Sequence, residues 1–193
     1  MTDVGADDLA VYLPDVIVGL RLNLVLLSVA HVLSRDGTQT PVPLGYPDPT
    51  DVLNPAWSPI GHRIPQLRSD PTVNPWLIRL AVTRTVEPKI VGLINFHDAP
   101  DERGFLEIGY SVIEEYRRQG YAREMAHLMW AAARKHPAVR GFRASASPDN
   151  KGSLAIIRGA GLLHVGEQDD PEDGLEYVFE CTVADYVPRM PVS

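Results

Sequence analysis

The strongest constraint on this chain is a change of hydrophobic period at one place. Leu77 to Thr83, Lys89 to Phe96 and Phe105 to Ile113 are short apolar stretches separated by Val86-Glu87-Pro88 and by Asp98-Ala99-Pro100-Asp101. Stretches of that length between turn-forming residues predict three consecutive antiparallel strands. From Tyr121 to Lys135 the pattern is helical: Ala122, Met125, Ala126, Met129, Ala132 and Ala133 recur at three- and four-residue spacing. The junction between the two regimes is Arg117-Arg118-Gln119-Gly120-Tyr121-Ala122. Gly120 lets the backbone turn tightly and approach a ligand without a Cβ in the way. The helix that begins there offers unpaired N–H groups and the positive end of its dipole, and Arg117, Arg118 and Arg123 add charge. The junction is therefore suited to phosphate, and a purely structural turn, where a lone glycine is equally at home, is the other reading. No Gly-Lys-Ser/Thr follows it and no three-glycine loop is present, so it is neither a P-loop nor a dinucleotide loop.

The rest of the chain extends this core. Val139 to Ala146 reads as a strand, and Pro148-Asp149-Asn150 starts a helix over about Ser153 to Arg158, stopped by Gly159 and Gly161. Leu162 to Val165 and Leu175 to Val183 read as closing strands. Upstream, Leu20 to Leu26 alternates around Arg21 and Asn23 as a strand, and Val29 to Arg35 reads as a short helix. Between these regions nine of the seventeen prolines fall from Pro41 to Pro75. Proline fixes φ and lacks a donor, so this stretch predicts a wrapped loop with a helical turn or two, whose embedded Trp57 and Trp76 either serve a pocket or, on an equal reading, merely pin the loop to the core. Loops of this kind shape substrate pockets. All 193 residues fit one domain.

Charge and cysteine usage narrow the class further. The formal net charge of −7 argues against a nucleic-acid partner, but nine basic residues and only two acids lie between Arg117 and Arg158. Seven acids and no Lys or Arg follow between Glu167 and Glu180. A locally basic segment in an acidic chain suits a polyanionic small ligand, and solvated helix faces explain it equally well. One cysteine, Cys181, excludes an internal disulfide and a Cys-based zinc site, and it reads as a buried apolar residue. His127 and His136 lack the i, i+4 spacing of metal ligands, and no metal is predicted. The apolar run Val16 to Leu33 is interrupted by Arg21, Asn23 and His31 and is preceded by Asp3, Asp7, Asp8 and Asp15. That fits neither a spanning helix nor an export signal. The expectation is a cytoplasmic protein with no membrane partner.

Arg117-x-x-Gly120-x-Ala122 resembles the Arg/Gln-x-x-Gly-x-Gly/Ala motif of the GNAT superfamily of acetyltransferases. Downstream, Ser147-Pro148-Asp149-Asn150-Lys151-Gly152-Ser153 and Gly161-Leu162 resemble that family's second landmark, an Asn three residues before a Ser and then a short helix. Glu107-Ile108-Gly109-Tyr110, Tyr116 and Ser-Pro-Asp-Asn are most similar to its RimJ/RimL group, which acetylates ribosomal-protein N-termini and other amines. The resemblance covers roughly Trp76 to Val183. It implies a mixed α+β GNAT fold: about seven strands, mostly antiparallel, helices on both faces, and a splay between the fourth and fifth strands, Phe105–Ile113 and Val139–Ala146.

The resemblance also implies a chemistry. Acetyl-CoA is the co-substrate, and the acceptor is a primary amine of a small molecule or a protein N-terminus, attacking directly in a ternary complex. Backbone groups at Tyr110, Ser111 and Val112 pair with the pantetheine arm, and the Val112 amide polarises the thioester carbonyl. Amides of Arg118, Gln119, Gly120, Tyr121, Ala122 and Arg123, beside Arg117, hold the pyrophosphate. Asn150 contacts the pantetheine region, with Ser153 supporting its helix. Glu107 stands where many relatives carry a general base; a structural salt bridge is the other reading of that residue. Ile157 stands where some relatives carry a proton-donating tyrosine, and Ser145 where others carry a base, leaving Ser111 and Tyr110 as candidate donors by proximity. Those departures keep a non-catalytic acyl-CoA-binding module open as an alternative. A homodimer is expected from the resemblance alone.

Overall fold

The computed structural model describes residues 13–171 and 174–188. Asp3, Asp7 and Asp8 before the apolar run, and Glu172 and Asp173 of the acidic run, lie outside the described residues. The chain builds one eight-stranded sheet in the order β1-β2-β3-β4-β5-β6-β8-β7. Its strands are β1 Val16–Val18, β2 Leu22–Leu26, β3 Arg79–Thr83, β4 Ile90–Phe96, β5 Phe105–Val112, β6 Gly141–Ala146, β7 Leu163–Asp170 and β8 Gly174–Thr182. All neighbours are antiparallel except β5 and β6.

Eight strands replace the expected seven because the apolar run folds back on itself. Gly19 N–H bonds to the Leu22 carbonyl, and β1 pairs with β2 through Val16↔Val25 and Val18↔Asn23. The first strand thus begins at Leu22 rather than Leu20. The extra strand also moves the splay, which falls between the fifth and sixth strands. At the other edge, β7 runs on to Asp170, well past Val165. Past Val165 its exposed positions, Glu167 and Asp169, carry acids rather than apolar residues, a pattern that protects an edge strand and hides it from a hydrophobicity reading.

Among the described residues four α-helices accompany the sheet: α1 Val29–Leu33, α2 Ile60–Ser69, α3 Tyr121–Ala133 and α4 Lys151–Gly159. The ten-residue α2 exceeds the helical turn or two expected of the proline-rich stretch. Its Ile60, Ile64 and Leu67 are buried at i, i+4 and i+7, and that stripe outweighs the hydrogen bond Pro65 removes. Trp76 is buried, but Trp57 is 58% exposed and pins nothing.

Helix α3 packs across β1, β2, β4 and β5. Met125, Ala126, Met129, Trp130 and Ala133 on it are fully buried, with Trp130 against Phe142 and Tyr186. Every residue of β3 and β4 is buried, so both faces of the sheet's centre are covered. Arg79 on β3 is fully buried; its guanidinium donates to the carbonyls of Leu13, Pro14, Asp15 and Pro75. Among the described residues no helix is long and apolar enough to cross a membrane.

Candidate functional site

The site begins where two strands separate. β5 and β6 pair only through Phe105↔Gly141, Leu106↔Phe142 and Glu107↔Arg143. Beyond Glu107, β5 stays on β4 while β6 stays on β8. The bonds Ile113 N–H to Val91 O and His97 N–H to Glu107 O set the phase of the β4–β5 ladder. In an antiparallel pair, hydrogen-bonded and non-bonded positions alternate. Tyr110 and Val112 therefore turn their N–H and C=O groups away from β4, into the wedge. The Val112 carbonyl accepts from Arg117 Nε at 3.1 Å.

Beyond the wedge the chain passes a 3₁₀ turn, Glu114–Tyr116, and reaches Gly120, the N-cap of α3. Gly120 has φ of +80°, a conformation that disfavours any residue with a Cβ, and it offers no side chain to cap the helix. The first-turn N–H groups of α3 are thus left to a ligand. A brace that sequence reasoning missed holds this turn. Arg21, on the β1–β2 connection, donates from Nε to Glu124 at 2.8 Å and from Nη1 to the Gln119 carbonyl at 2.9 Å. Its guanidinium also stacks 4.8 Å from the Tyr121 ring centre. Glu124 Oε1 accepts the backbone N–H of Arg21 and of Leu22, and the Glu124 side chain is wholly buried.

Across the wedge, Asn150 caps α4 through its side-chain oxygen, which accepts the Ser153 N–H at 3.0 Å. The support thus runs from Asn150 to Ser153 rather than the reverse, because an amide oxygen at an N-cap satisfies a first-turn donor. Tyr110 points towards this helix. Its hydroxyl is buried without an aligned hydrogen-bond partner. Burial holds it above the usual tyrosine range, with nearby Ser153 working the other way.

These elements enclose one cleft of about 1210 Å³. Tyr110, Ser111, Val112, residues 117–123, Asn150 and Ser153 all line it, as does Arg21. Of the nine basic residues between Arg117 and Arg158, only Arg117, Arg118, Arg123 and Lys151 line it. The others serve elsewhere: Arg143 meets Glu107 and Glu180, and Arg158 stacks on Phe179. An uncapped helix start with four cations beside exposed strand amides fits a ligand with phosphates at one end and an amide-bearing arm at the other.

Glu107 stands where the parting begins. Ser145 Oγ donates to its Oε1 at 2.7 Å, and Arg143 Nε lies 3.2 Å from Oε2, at ion-pair distance but without hydrogen-bond alignment. The salt-bridge reading of this residue is therefore physically present, and Ser145 acts on it. Ile157 is buried core. His127 is buried against the Tyr186 hydroxyl at 2.9 Å, and His136 packs edge-on to Trp76. Among the described residues no group of three or more His, Cys, Asp or Glu converges as a metal site would.

The acetyltransferase (GNAT) domain family matches residues 45–162. An uncharacterized N-acetyltransferase, YjdG of Bacillus subtilis (strain 168), is 35% identical over 77 residues, 39% of this chain and 45% of that protein. This chain thus spans under half the length of that curated relative. Among solved structures, a RimL ribosomal L7/L12 alpha-N-protein acetyltransferase in complex with coenzyme A superposes with a TM-score of 0.59 at 15% identity, covering 86% of this chain and 97% of that one. A spermidine N-acetyltransferase SpeG chimera from Vibrio cholerae gives 0.59 at 12% identity, covering 88% and 100%. At such identities the superpositions speak for the fold, while the domain match covers more than half of the sequence and includes both the Arg117–Ala122 turn and Asn150. The chain belongs to the GNAT acetyltransferase family.

Proposed function

We propose that this protein transfers an acetyl group from acetyl-CoA to a primary amine, of a small molecule or a protein N-terminus, by direct attack in a ternary complex. One observation carries the reading: the backbone groups of Tyr110, the N–H of Val112 and the uncapped start of α3 open into a single cleft. Coenzyme A has the matching order of groups, with amides along its arm and phosphates beyond. The RimL structure is described as a coenzyme A complex on the same fold.

Residues 117–123 hold the pyrophosphate, and Tyr110, Ser111 and Val112 run along the arm, with Asn150 opposite. The Val112 N–H then faces the thioester carbonyl and stabilises the oxyanion as the amine attacks. Glu107, fixed by Ser145 and Arg143, is the carboxylate beside the incoming amine. The departing thiolate needs a proton. Tyr110, a buried phenol in the cleft that keeps its proton, is the acid on that side. Helix α2 brings the proline-rich region to the acceptor side: Arg63 and Gln66 bond to the His97 carbonyl at 2.7 and 3.1 Å.

Release of free thiol from acetyl-CoA, measured with a panel including spermidine and a serine-starting peptide, tests the reading. Amine-dependent release is expected. Tight acetyl-CoA binding with no such release overturns it in favour of a non-catalytic acyl-CoA-binding module.

A further inference from the structure

The face of β5 that carries Glu107 has a second polar group against it. His97 follows β4 directly, and its backbone is tied on both sides. Its N–H donates to the Glu107 carbonyl at 2.8 Å, and its carbonyl accepts from Arg63 and Gln66 on α2. The ring lies over Gly109: a methyl group built there would stand 2.8 Å from Nε2 and 3.5 Å from Cδ2. A glycine is what seats this imidazole. Alternation along the strand puts Glu107, Gly109 and Ser111 on one face. Nε2 therefore lies between Glu107 and Ser111, and Ser111 is already a lining residue of the cleft.

His97 keeps contact with solvent while its ring is seated against Gly109. That surrounding lowers its pKa from the ordinary histidine value of 6.5. Glu107 opposes the effect, Arg63 and His62 of α2 add to it, and Asp170 of β7 opposes it. At neutral pH the imidazole is uncharged and carries a lone pair. Glu107, by contrast, shares its oxygens with Ser145 and Arg143.

We infer that His97 is the base that receives the proton of the attacking amine, with Glu107 as the counter-charge that stabilises the imidazolium. This rests on the acetyl-transfer reading above. The amine lone pair forms the C–N bond at the thioester carbon, and the nitrogen's proton passes to His97 Nε2. The C–S bond breaks with its electron pair on sulfur, and the thiolate takes a proton on the cleft side. His97 then gives its proton to the solvent that reaches it. Base and acid thereby stand on opposite faces of one strand.

The test compares wild type, His97→Ala and His97→Gln, with spermidine and a serine-starting peptide as acceptors and acetyl-CoA binding followed by calorimetry. His97→Ala is expected to lower kcat by about 10²-fold or more, the range general-base groups supply. Acetyl-CoA affinity is expected to hold, and added imidazole to restore part of the rate. In wild type the acidic limb of kcat/KM should bend below pH 6.5, and it should vanish in His97→Gln. Wild-type kcat and an unchanged acidic limb in a folded His97→Gln overturn the base alone. A wild type that binds acetyl-CoA and acetylates neither acceptor overturns the transferase reading, and the base with it. Should both variants fail to fold, a wild-type rate with no acidic limb between pH 5 and pH 7 still overturns the assignment.

Discussion

The Arg21 guanidinium and the Glu124 carboxylate, 103 positions apart in sequence, meet at 2.8 Å and fasten the turn before α3 to the first hairpin. Glu124 has no exposed side-chain surface and also accepts two backbone N–H groups. Glu124→Ala strands three donors; the Arg21 end is 39% exposed, and leaving a buried donor unmet costs about 1–3 kcal/mol. Urea unfolding should show that loss. Arg21→Ala leaves the turn looser and removes a cation from the cleft. The expected result is an acetyl-CoA KM raised about tenfold, equivalent to about 1.4 kcal/mol, with kcat little changed.

Glu107→Gln retains the shape of the side chain and loses its charge. If Glu107 acts as counter-charge to a protonated neighbour, kcat falls while acetyl-CoA affinity stays. The fall should be smaller than that of His97→Ala, because the proton acceptor itself remains. Equal turnover in Glu107→Gln and wild type removes Glu107 from the proton path and leaves it as a strand-to-strand salt bridge.

Tyr110→Phe deletes a buried hydroxyl that has no aligned hydrogen-bond partner. Deleting such a group costs stability little. Unchanged thermal unfolding beside a kcat reduced tenfold or more identifies the hydroxyl as the thiolate's acid. Unchanged kcat moves that role to water.

Cys181 should be inert in the folded protein. Burial, with Asp185 adding to it, pushes its thiol up to about 11. At pH 8 only about one thiol in a thousand is then ionised, and the thiolate is the reacting form. Ellman's reagent should leave the native chain unmodified and titrate one thiol after unfolding in denaturant.

His136 predicts an acid-sensitive stability. Burial lowers its pKa from 6.5, and its Nδ1 accepts the Ala138 N–H at 3.2 Å, a bond that protonation there abolishes. Below 6.5 the unfolded chain binds the proton first, so stability is complete above that value and declines as pH falls through the lower folded value. Urea midpoints at pH 7.5, 6.5 and 5.5 should step downward, and His136→Asn should flatten the series.

The parts of the fold legible in sequence are those fixed by local chemistry. β3 to β5 and the two cleft helices announce themselves through period, turn residues and Asn150, because each signal lies within a dozen residues. β1 was hidden because its turn at Gly19 sits inside an apolar run and its three residues are too few to show a period. α2 was obscured by Pro59 and Pro65, although the Ile60, Ile64, Leu67 stripe was present to be read. The Arg21–Glu124 brace had only a faint trace, an arginine breaking an apolar run and a lone acid in a basic helix start. Its partners meet only after the sheet has formed. The seat of His97 over Gly109 likewise depends on strand register, which no local pattern reveals.

The parting of β5 from β6 after Glu107 has a consequence for how such a site tolerates change. Most binding surfaces are written in side chains, and a substitution edits them directly. Here the wedge is written in peptide groups, at Tyr110 and Val112, whose direction is set by pairing with β4. An occupant with amides of its own would be held there as a borrowed strand, indifferent to which side chains flank it. Replacing Ser111 or Val112 with another strand-forming residue should leave that grip intact, whereas a one-residue slip of β5 against β4 would turn every such group away. What the chain must preserve at this position is a register rather than a sequence.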